Sequence, residues 1–484
     1  MGIFDFLTRK TPAETKAPVK VTLPKRGGGL FAGYDAATLT HQNVKHWANA
    51  DGQSADATMD ATTRKTLRNH ARYEVQNNTY AKGIVTTLAN DVVGTGPRIS
   101  VETGDPRANS VIEAEWNRWA KTINLAEKLR TMRVARAESG ECFAVLVNNP
   151  EVNSPIKLDL MLIEADRIAS VDLTDSEGEV DGISFDAYGN PTEYRVLKQH
   201  PGDTIALGQD SQVVPSELMI HYYAPTRPGQ HRGVPDIAPA LPLFAQLRRY
   251  TLAVLAAAET AADFAGILYT DAPALGESDD VEPLDGIELE SRTLLTMPAG
   301  WKMSQVRSEQ PTTTYGDFKR ELLNEIARCL NMPFNVASGN SSGYNYASGR
   351  LDHQTYHKSI RVDRDHLTNA VLERIFSAWV GEAILIEEML PVQVRASSAI
   401  TARWMFDGHE HVDPAKEANA TATRLENNLT TLADEYAKVG KDWEQQLQQR
   451  AIELALMDEL GITPDALDSV EEDVRQEAED EDDD

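Results

Sequence analysis

"RPGQHRGVPDIAPALPLFAQLRRYTLAVLAAAETAADFAG", residues 227–266, changes character part-way along. It opens on Pro, Gly, Arg and His, a composition that bends the chain. After Pro242 it is Ala-rich and free of both Gly and Pro up to Gly266, which predicts one long helix. Pro235, Pro239 and Pro242 fit before that helix or in its first turn, where a missing N–H leaves no bond unmade. The run to Phe264 is about 22 residues, or about 34 Å of helix. Its Ala faces let neighbouring helices approach closely. Glu259 and Asp263 break its apolar stretch and Arg248 and Arg249 precede it, so it does not read as a membrane span.

The flanking segments repeat the theme. Residues 266–312 hold short apolar runs between acidic turns ("GILYTD", "GIELE", "RTLLTMPAG") and predict short strands. "YGDFKRELLNEIARCLNMP", residues 315–333, predicts a helix with Phe318, Leu322, Ile326, Cys329 and Leu330 on one stripe and Pro333 as its end. "SGNSSGYNYASG", residues 338–349, follows with four Ser, three Gly, two Asn, two Tyr and no charge. A helix from about 347 to 379 comes next, with Leu351, Ile360, Leu367, Val371, Leu372, Ile375, Phe376 and Trp379 facing inward. Two helices thus bracket a small β-rich insertion, and a polar loop leads from the second into a longer third.

Upstream, Leu67, Ala71, Val75, Ile84, Leu88 and Val92 recur at helical spacing until "VVGTGPRIS" stops them. A strand, a helix over 107–119 carrying Trp116 and Trp119, and a helix over 124–138 follow. "GECFAVLVNN" enters a strand, and 155–225 is β-rich with a "YGNP" hairpin turn. The fold class is α+β. Residues 1–60 read as an extended arm, 410–463 as helical, and "SVEEDVRQEAEDEDDD" as an acidic disordered tail.

The chain has 484 residues, Lys+Arg 47 against Asp+Glu 75, and a net charge of −28. Such a surface repels DNA on average, so any contact with it must be local and weak. Cys142 and Cys329 lie in apolar runs and predict buried, reduced thiols, neither a disulfide framework nor a zinc site. "MGIFDFLTRK" fits neither a signal peptide nor a myristoylation site.

Catalytic patterns are missing from the sequence. It has no Walker A motif and no G-x-S-x-G elbow, and "GTG" at 94–96 reads as a helix stop. His353 and His357, at i and i+4 beside Asp352 with His366 further on, have zinc-compatible spacing but lack the metalloprotease Glu and a clear third ligand. His409 and His411 read as loop residues and Asp279–Asp280 as a solvated turn. No cofactor and no metal are expected. The balance favours a structural or binding protein over an enzyme, with a metal-dependent nucleic-acid enzyme at that His cluster as the alternative.

Five segments in order resemble the lambda-like portal proteins of tailed phages. They are "RKTLRNHARYEVQNNTYAKGIVTTLANDVVGTGPRIS" (64–100), "AESGECFAVLV" (137–147), "GISFDAYGNPTEYRVL" (182–197), "RPGQHRGVPDIAPAL" (227–241) and "VDPAKEANA" (412–420). The resemblance implies the portal fold: arm 1–60, wing 61–235, first stem helix 236–265, clip 266–312, second stem helix 313–333, tunnel loop 334–349, long wing helix and strands 350–409, helical crown 410–470 and tail 471–484. It implies a non-enzymatic homo-oligomer, by family habit a dodecamer, at one capsid vertex of the virion, assembled in the host cytoplasm with major capsid and scaffolding proteins. Double-stranded DNA would pass through its channel; a head-assembly adaptor without a channel is the alternative. The terminase large subunit and then the head–tail connector would dock on the clip, with no membrane involved. It places Asn340, Ser341, Ser342, Tyr344, Asn345 and Tyr346 facing DNA, where neutral groups touch phosphates weakly. Arg350, Lys358, Arg361 and Arg364 would form a limited cationic ring or intersubunit bridges.

Overall fold

The computed structural model describes residues 41, 44–170, 178–203, 210–263, 267–270, 301–304, 315–387, 389–391, 400–408 and 414–462. The chain divides into Met1–Gln53 and Ser54–Asp484. The larger unit begins with a short helix, α1 (Ala55–Thr58), whose Asp56 accepts the ring and main-chain N–H of His231. Residues 54–60, expected in the arm, therefore belong to the body.

Helices α2 (Ala61–Asn77) and α3 (Thr79–Val93) meet at Asn78, which ends one and caps the other by accepting from the N–H groups of Tyr80 and Ala81. Strand β1 (Arg98–Glu102) follows, then α4 (Pro106–Thr122), opened by Asp105 and Pro106, and α5 (Leu125–Ser139). Strand β2 (Glu141–Asn148) is the centre of a three-stranded antiparallel sheet with β3 (Leu158–Ile163) and, on its other side, the strand Met219–Tyr223. Its first six residues are all buried, as a strand covered on both faces must be. A second antiparallel sheet joins, in order, β4 (Glu179–Val180), β5 (Ile183–Phe185), β6 (Pro191–Leu197) and β7 (Ser211–Pro215). The expected hairpin is its β5–β6 turn. The strand Met219–Tyr223 is β8.

The Ala-rich helix is α6 (Leu241–Asp263). Beyond it, β9 (Ile267–Thr270) pairs antiparallel with β10 (Trp301–Ser304). The "GIELE" and "RTLLTMPAG" runs and Asp279–Asp280 lie outside the described residues. Next come α7 (Tyr315–Arg328), α8 (Phe334–Ser338) and α9 (Tyr346–Leu367). A π-helical turn, Thr368–Leu372, carries α9 into α10 (Glu373–Leu385). Strand β11 (Thr401–Met405) returns to pair with β1. The C-terminal helices are α11 (Pro414–Glu426), α12 (Leu432–Lys438) and α13 (Trp443–Leu460). His409, His411 and the acidic tail lie outside the described residues.

An aromatic cluster locks distant segments together. Trp116 packs on Trp119 (4.9 Å between ring centres), Phe376 (5.4 Å), Trp379 (5.5 Å) and Trp404 (5.5 Å). Each ring removes about 150–250 Å² from water, so α4, α10 and β11 form one body. The Trp119 indole donates to the Leu158 carbonyl at 2.9 Å and that of Trp404 to Glu373 at 2.7 Å.

Three core assignments differ from expectation. Phe318 and Leu351 are 54 % and 65 % exposed, because each lies near the start of a helix whose buried stripe begins further on. Cys142 is buried, but Cys329 is only partly so, its thiol donating to the Asp236 carbonyl at 3.0 Å.

Candidate functional site

The polar loop is shorter than its composition suggests, and braced. Helix α8 ends at Gly339 in the left-handed conformation and α9 begins at Tyr346, leaving residues 339–345 between them. Asn340 Oδ1 accepts from Ser342 N at 2.8 Å, and Ser341 O accepts from Tyr344 N at 3.1 Å. The Tyr344 phenol donates to Asp352 at 2.8 Å. Burial and that carboxylate push the phenol up to about 12. The Tyr344 ring lies over Gly349, where an added Cβ would stand 2.5 Å from the ring edge. Ser341, Ser342 and Asn345 are exposed and Tyr344 is half-buried. Tyr346 starts α9, and its side chain lies outside the described residues.

Of the four predicted cations, Arg350, Lys358 and Arg361 are exposed on α9. Arg364 is turned inward: its guanidinium donates to the carbonyls of Asp91 (2.7 Å), Val92 (3.1 Å) and Asp407 (2.9 Å) and lies over the Phe406 ring. It ties α9 to α3.

The expected His pair does not converge on one point. His353 Nε2 faces the Asn335 amide at 3.1 Å, the His353 and His357 ring centres are 5.8 Å apart, and Asp352 serves Tyr344. Among the described residues, the His and carboxylate group whose ligand atoms gather is instead Glu164, Asp166 and His200. There the Arg72 guanidinium sits 2.8 Å from Asp166 and 3.9 Å from Glu164, where a cation would sit.

The body also holds two buried ionic networks. In the first, Glu141 is fully buried and accepts from Arg232 Nη2 (2.7 Å), Arg232 Nε (3.0 Å) and Gly233 N (2.8 Å). His221 Nε2 lies 3.0 Å from it, with the ring stacked between Phe143 and Tyr223. Arg232 also holds Asp181 (3.0 Å), which Arg64 holds at 2.6 Å, while Arg68 and Arg72 hold Asp166 (3.2 and 2.8 Å). Burial opposes ionisation of Glu141, but Arg232 and His221 outweigh it and hold the carboxyl well below its usual range. Burial lowers His221.

In the second network, Asp363 on α9 takes Arg133 (2.8 Å) and Arg136 (2.6 Å) from α5, and Arg133 also holds Asp236 (2.9 Å). Burial works against the Asp363 charge, yet the two guanidiniums bring its pKa below the ordinary value. Tyr356 donates to Asp91 at 2.6 Å about two turns further up α9.

These networks explain the motif at 227–233. Gln230 Oε1 accepts from Thr226 N at 2.8 Å, and its amide donates to the Arg232 carbonyl at 2.8 Å, which shapes the loop. Gly233 lies against Gly140, where a Cβ would meet the Gly140 carbonyl oxygen at 2.2 Å. The sequence matches the family described as "Phage portal protein, lambda family" over residues 41–364, about two thirds of the chain. The chain belongs to that family. It is 24% identical to the probable portal protein of Halomonas phage phiHAP-1 over 82% of each chain, and 22% identical to portal protein B of Escherichia phage lambda over 91% of each. Among solved structures, a chain in the neck of an empty gene transfer agent (GTA) particle matches with a TM-score of 0.48 and 13% identity, covering 78% of this chain and 93% of that one. No described helix is long and apolar enough to cross a membrane. The portal family match takes in both networks, α6, α7 and the 339–345 loop.

Proposed function

We propose that this portal-family chain is the repeating subunit of a ring at one capsid vertex, through which double-stranded DNA enters and leaves the head. The observation that carries the reading is the family match across residues 41–364. Uncovered apolar side chains on α6 and α7 support self-association: Leu252 is 59 %, Leu255 55 % and Phe318 54 % exposed, a pattern that marks an interaction surface.

In this reading the subunit works by geometry, not by catalysis. The 339–345 loop faces the channel. Ser341, Ser342 and Asn345 offer neutral hydrogen bonds to passing phosphates, and Tyr344 braces the loop through Asp352. A net charge of −28 per subunit keeps a polyanion from settling into deep wells. Arg350, Lys358 and Arg361 supply a cationic collar or bridges to a neighbouring subunit. The terminase large subunit and then the head–tail connector dock on the 266–312 insertion, and major capsid and scaffolding proteins meet the ring during assembly in the host cytoplasm.

Negative-stain images of the purified chain test the ring: end-on views should show a central hole, and a strictly monomeric sample would refute it. Deleting residues 339–345 should leave rings intact and lower packaged DNA per particle at least several-fold. An unchanged yield of filled particles would remove the loop from the channel.

A further inference from the structure

Helix α13 is tied to α4 through its first turn. Among the described residues, the one side-chain hydrogen bond that leaves this helix runs from the Gln445 amide to Glu113 on α4 at 3.1 Å. Gln449–Glu453 and Arg450–Glu453, further along, stay within it, and none of its 18 residues is buried. Glu113 is 7 % exposed, and its other oxygen accepts from the Val101 N–H on β1 at 2.8 Å. One buried carboxylate thus joins β1, α4 and α13. The turn before α13 is fixed independently. A Cβ at Gly440 would stand 2.6 Å from the Phe406 carbonyl oxygen, and Arg98 donates to the Gly440 carbonyl at 3.2 Å.

The charge around that carboxylate is one-sided. The crevice beside it, about 270 Å³, has Glu102, Glu113, Arg403, Lys441, Asp442 and Glu444 as its charged lining. Arg403 is paired with Glu102 at 2.8 Å, and Arg98 is spent on the Gly440 carbonyl. Three carboxylates, Glu113, Asp442 and Glu444, remain against exposed Lys441 and the N-terminus of α13, which carries about half a positive charge. Asp442 already caps that N-terminus by accepting from Gln445 N at 3.0 Å. An ionised Glu113 therefore sits in a dry place beside like charge, and both conditions disfavour its charged form.

We propose that Glu113 is a proton-operated latch for α13. With the carboxyl neutral, one oxygen keeps the Val101 N–H, the O–H of the other donates to the turned Gln445 amide oxygen, and the helix is held to β1 and α4. With it ionised, repulsion from Asp442 and Glu444 loosens the first turn. The helix beyond has no other side-chain bond to the body among the described residues, and it frays. Burial is the largest influence on the Glu113 pKa and raises it; the Val101 N–H lowers it, Asp442 and Glu444 raise it, Gln445 lowers it, and the balance lies above the ordinary value. The latched state thus takes up the proton more readily than the open one. Latching is complete below the ordinary glutamate value of about 4.3 and is lost as pH rises through the latched value. The inference concerns the single chain and does not depend on the ring reading.

Hydrogen exchange of the 446–460 amides in the unassembled full chain tests it, with Glu113→Gln standing for the neutral carboxyl. Gln can make both bonds, its oxygen accepting from Val101 N–H and its amide donating to Gln445. At pH 8 the variant should exchange several-fold more slowly than wild type, and the difference should shrink towards none at pH 5. Taking the ratio at each pH removes the other titrating groups, His221 among them. Gln445→Glu, at an exposed position, keeps the test open if the buried variant does not fold. It should speed exchange at pH 8 and return towards the wild-type rate at pH 5, where two facing carboxyls share a proton. Equal or faster exchange of Glu113→Gln at pH 8, a ratio that does not change with pH, or a Gln445→Glu chain that exchanges like wild type at pH 8 would each overturn the latch.

Discussion

Replacing Glu141 with Gln keeps the shape of the side chain and removes one charge from the first ionic network. In the native protein four guanidiniums (Arg64, Arg68, Arg72, Arg232) face three carboxylates (Glu141, Asp166, Asp181). With Gln at 141 the same four face two. Arg232 is 1 % exposed and Glu141 is fully buried, so water cannot take over the lost pairing. Breaking a buried pair from one side costs about 3–5 kcal/mol. The remaining bonds of Arg232 to Asp181 and to the carbonyls of Ile168 and Ala165 argue for the lower half of that range. Glu164→Gln is the control, because that carboxylate is 62 % exposed and 3.9 Å from Arg72; an exposed pair contributes about 0–1 kcal/mol. Urea unfolding of the unassembled chain, followed by circular dichroism, reads both. Arg232→Met on the Glu141→Gln background should cost far less than Arg232→Met alone, since the charge it removes is already uncompensated. Equal losses for Glu141→Gln and Glu164→Gln, or strict additivity in the cycle, would refute the argument that this network holds the body together.

Two further predictions concern the same region. Gly140 and Gly189 both sit at positive φ (89° and 83°), but a Cβ at Gly140 would lie 2.5 Å from the Val234 carbonyl carbon while Gly189 faces open space; Gly140→Ala should therefore lower the urea midpoint well beyond Gly189→Ala, and equal effects would mean that backbone strain alone matters. Burial holds His221 and His366 below the ordinary His value, so the unfolded chain binds protons first as pH falls below about 6.5. Stability should be full above that pH and decline through the lower folded values, with Glu141 protonation adding to the loss only in stronger acid; a urea midpoint that is flat or rising from pH 7 to pH 5 would contradict the neutral, buried state of these rings.

Helix positions were legible because hydrophobic period, prolines and caps are local signals. The long helix after Pro242, the stop at Gly94 and the hairpin at residues 186–190 all follow from neighbours in sequence. The partners of Arg232 were not legible. Glu141 lies 91 positions away and Asp181 lies 51 away, and no composition rule says which Arg in an acidic chain turns inward. Arg364 shows the same limit: its sequence neighbours suggest a surface cation, and only the fold brings three carbonyls to it. A signal was present in Arg64, Arg68 and Arg72, spaced four apart on one face of α2 beside buried Ala71 and Val75, which marks that face as both inward and charged. The misplaced apolar residues teach the reverse lesson. Periodicity assigned Phe318 and Leu351 to the core, but it reports only that a side chain avoids water, and a surface joining two copies satisfies that as well.

The second network and the loop are parts of one mechanical arrangement. Tyr356, Asp363 and Arg364 fall within nine residues of α9 and bind α3 and α5 through Asp91, Arg133, Arg136 and the carbonyls of Asp91 and Val92. This middle stretch is clamped by charge-assisted bonds in a dry setting, where such bonds are strong and their loss is costly. Toward its N-terminus the same helix carries exposed Arg350 and Leu351 and ends at the short loop. A rigid rod held at its middle passes any displacement at its tip into the frame that holds it. A force on residues 339–345 is therefore felt at Asp363, and through Arg133 at Asp236, five residues before α6 begins. The loop is small and uncharged, but it is mounted on a helix clamped at its middle, which is what the channel role proposed for it requires if a contact made there is to be passed to the rest of the subunit.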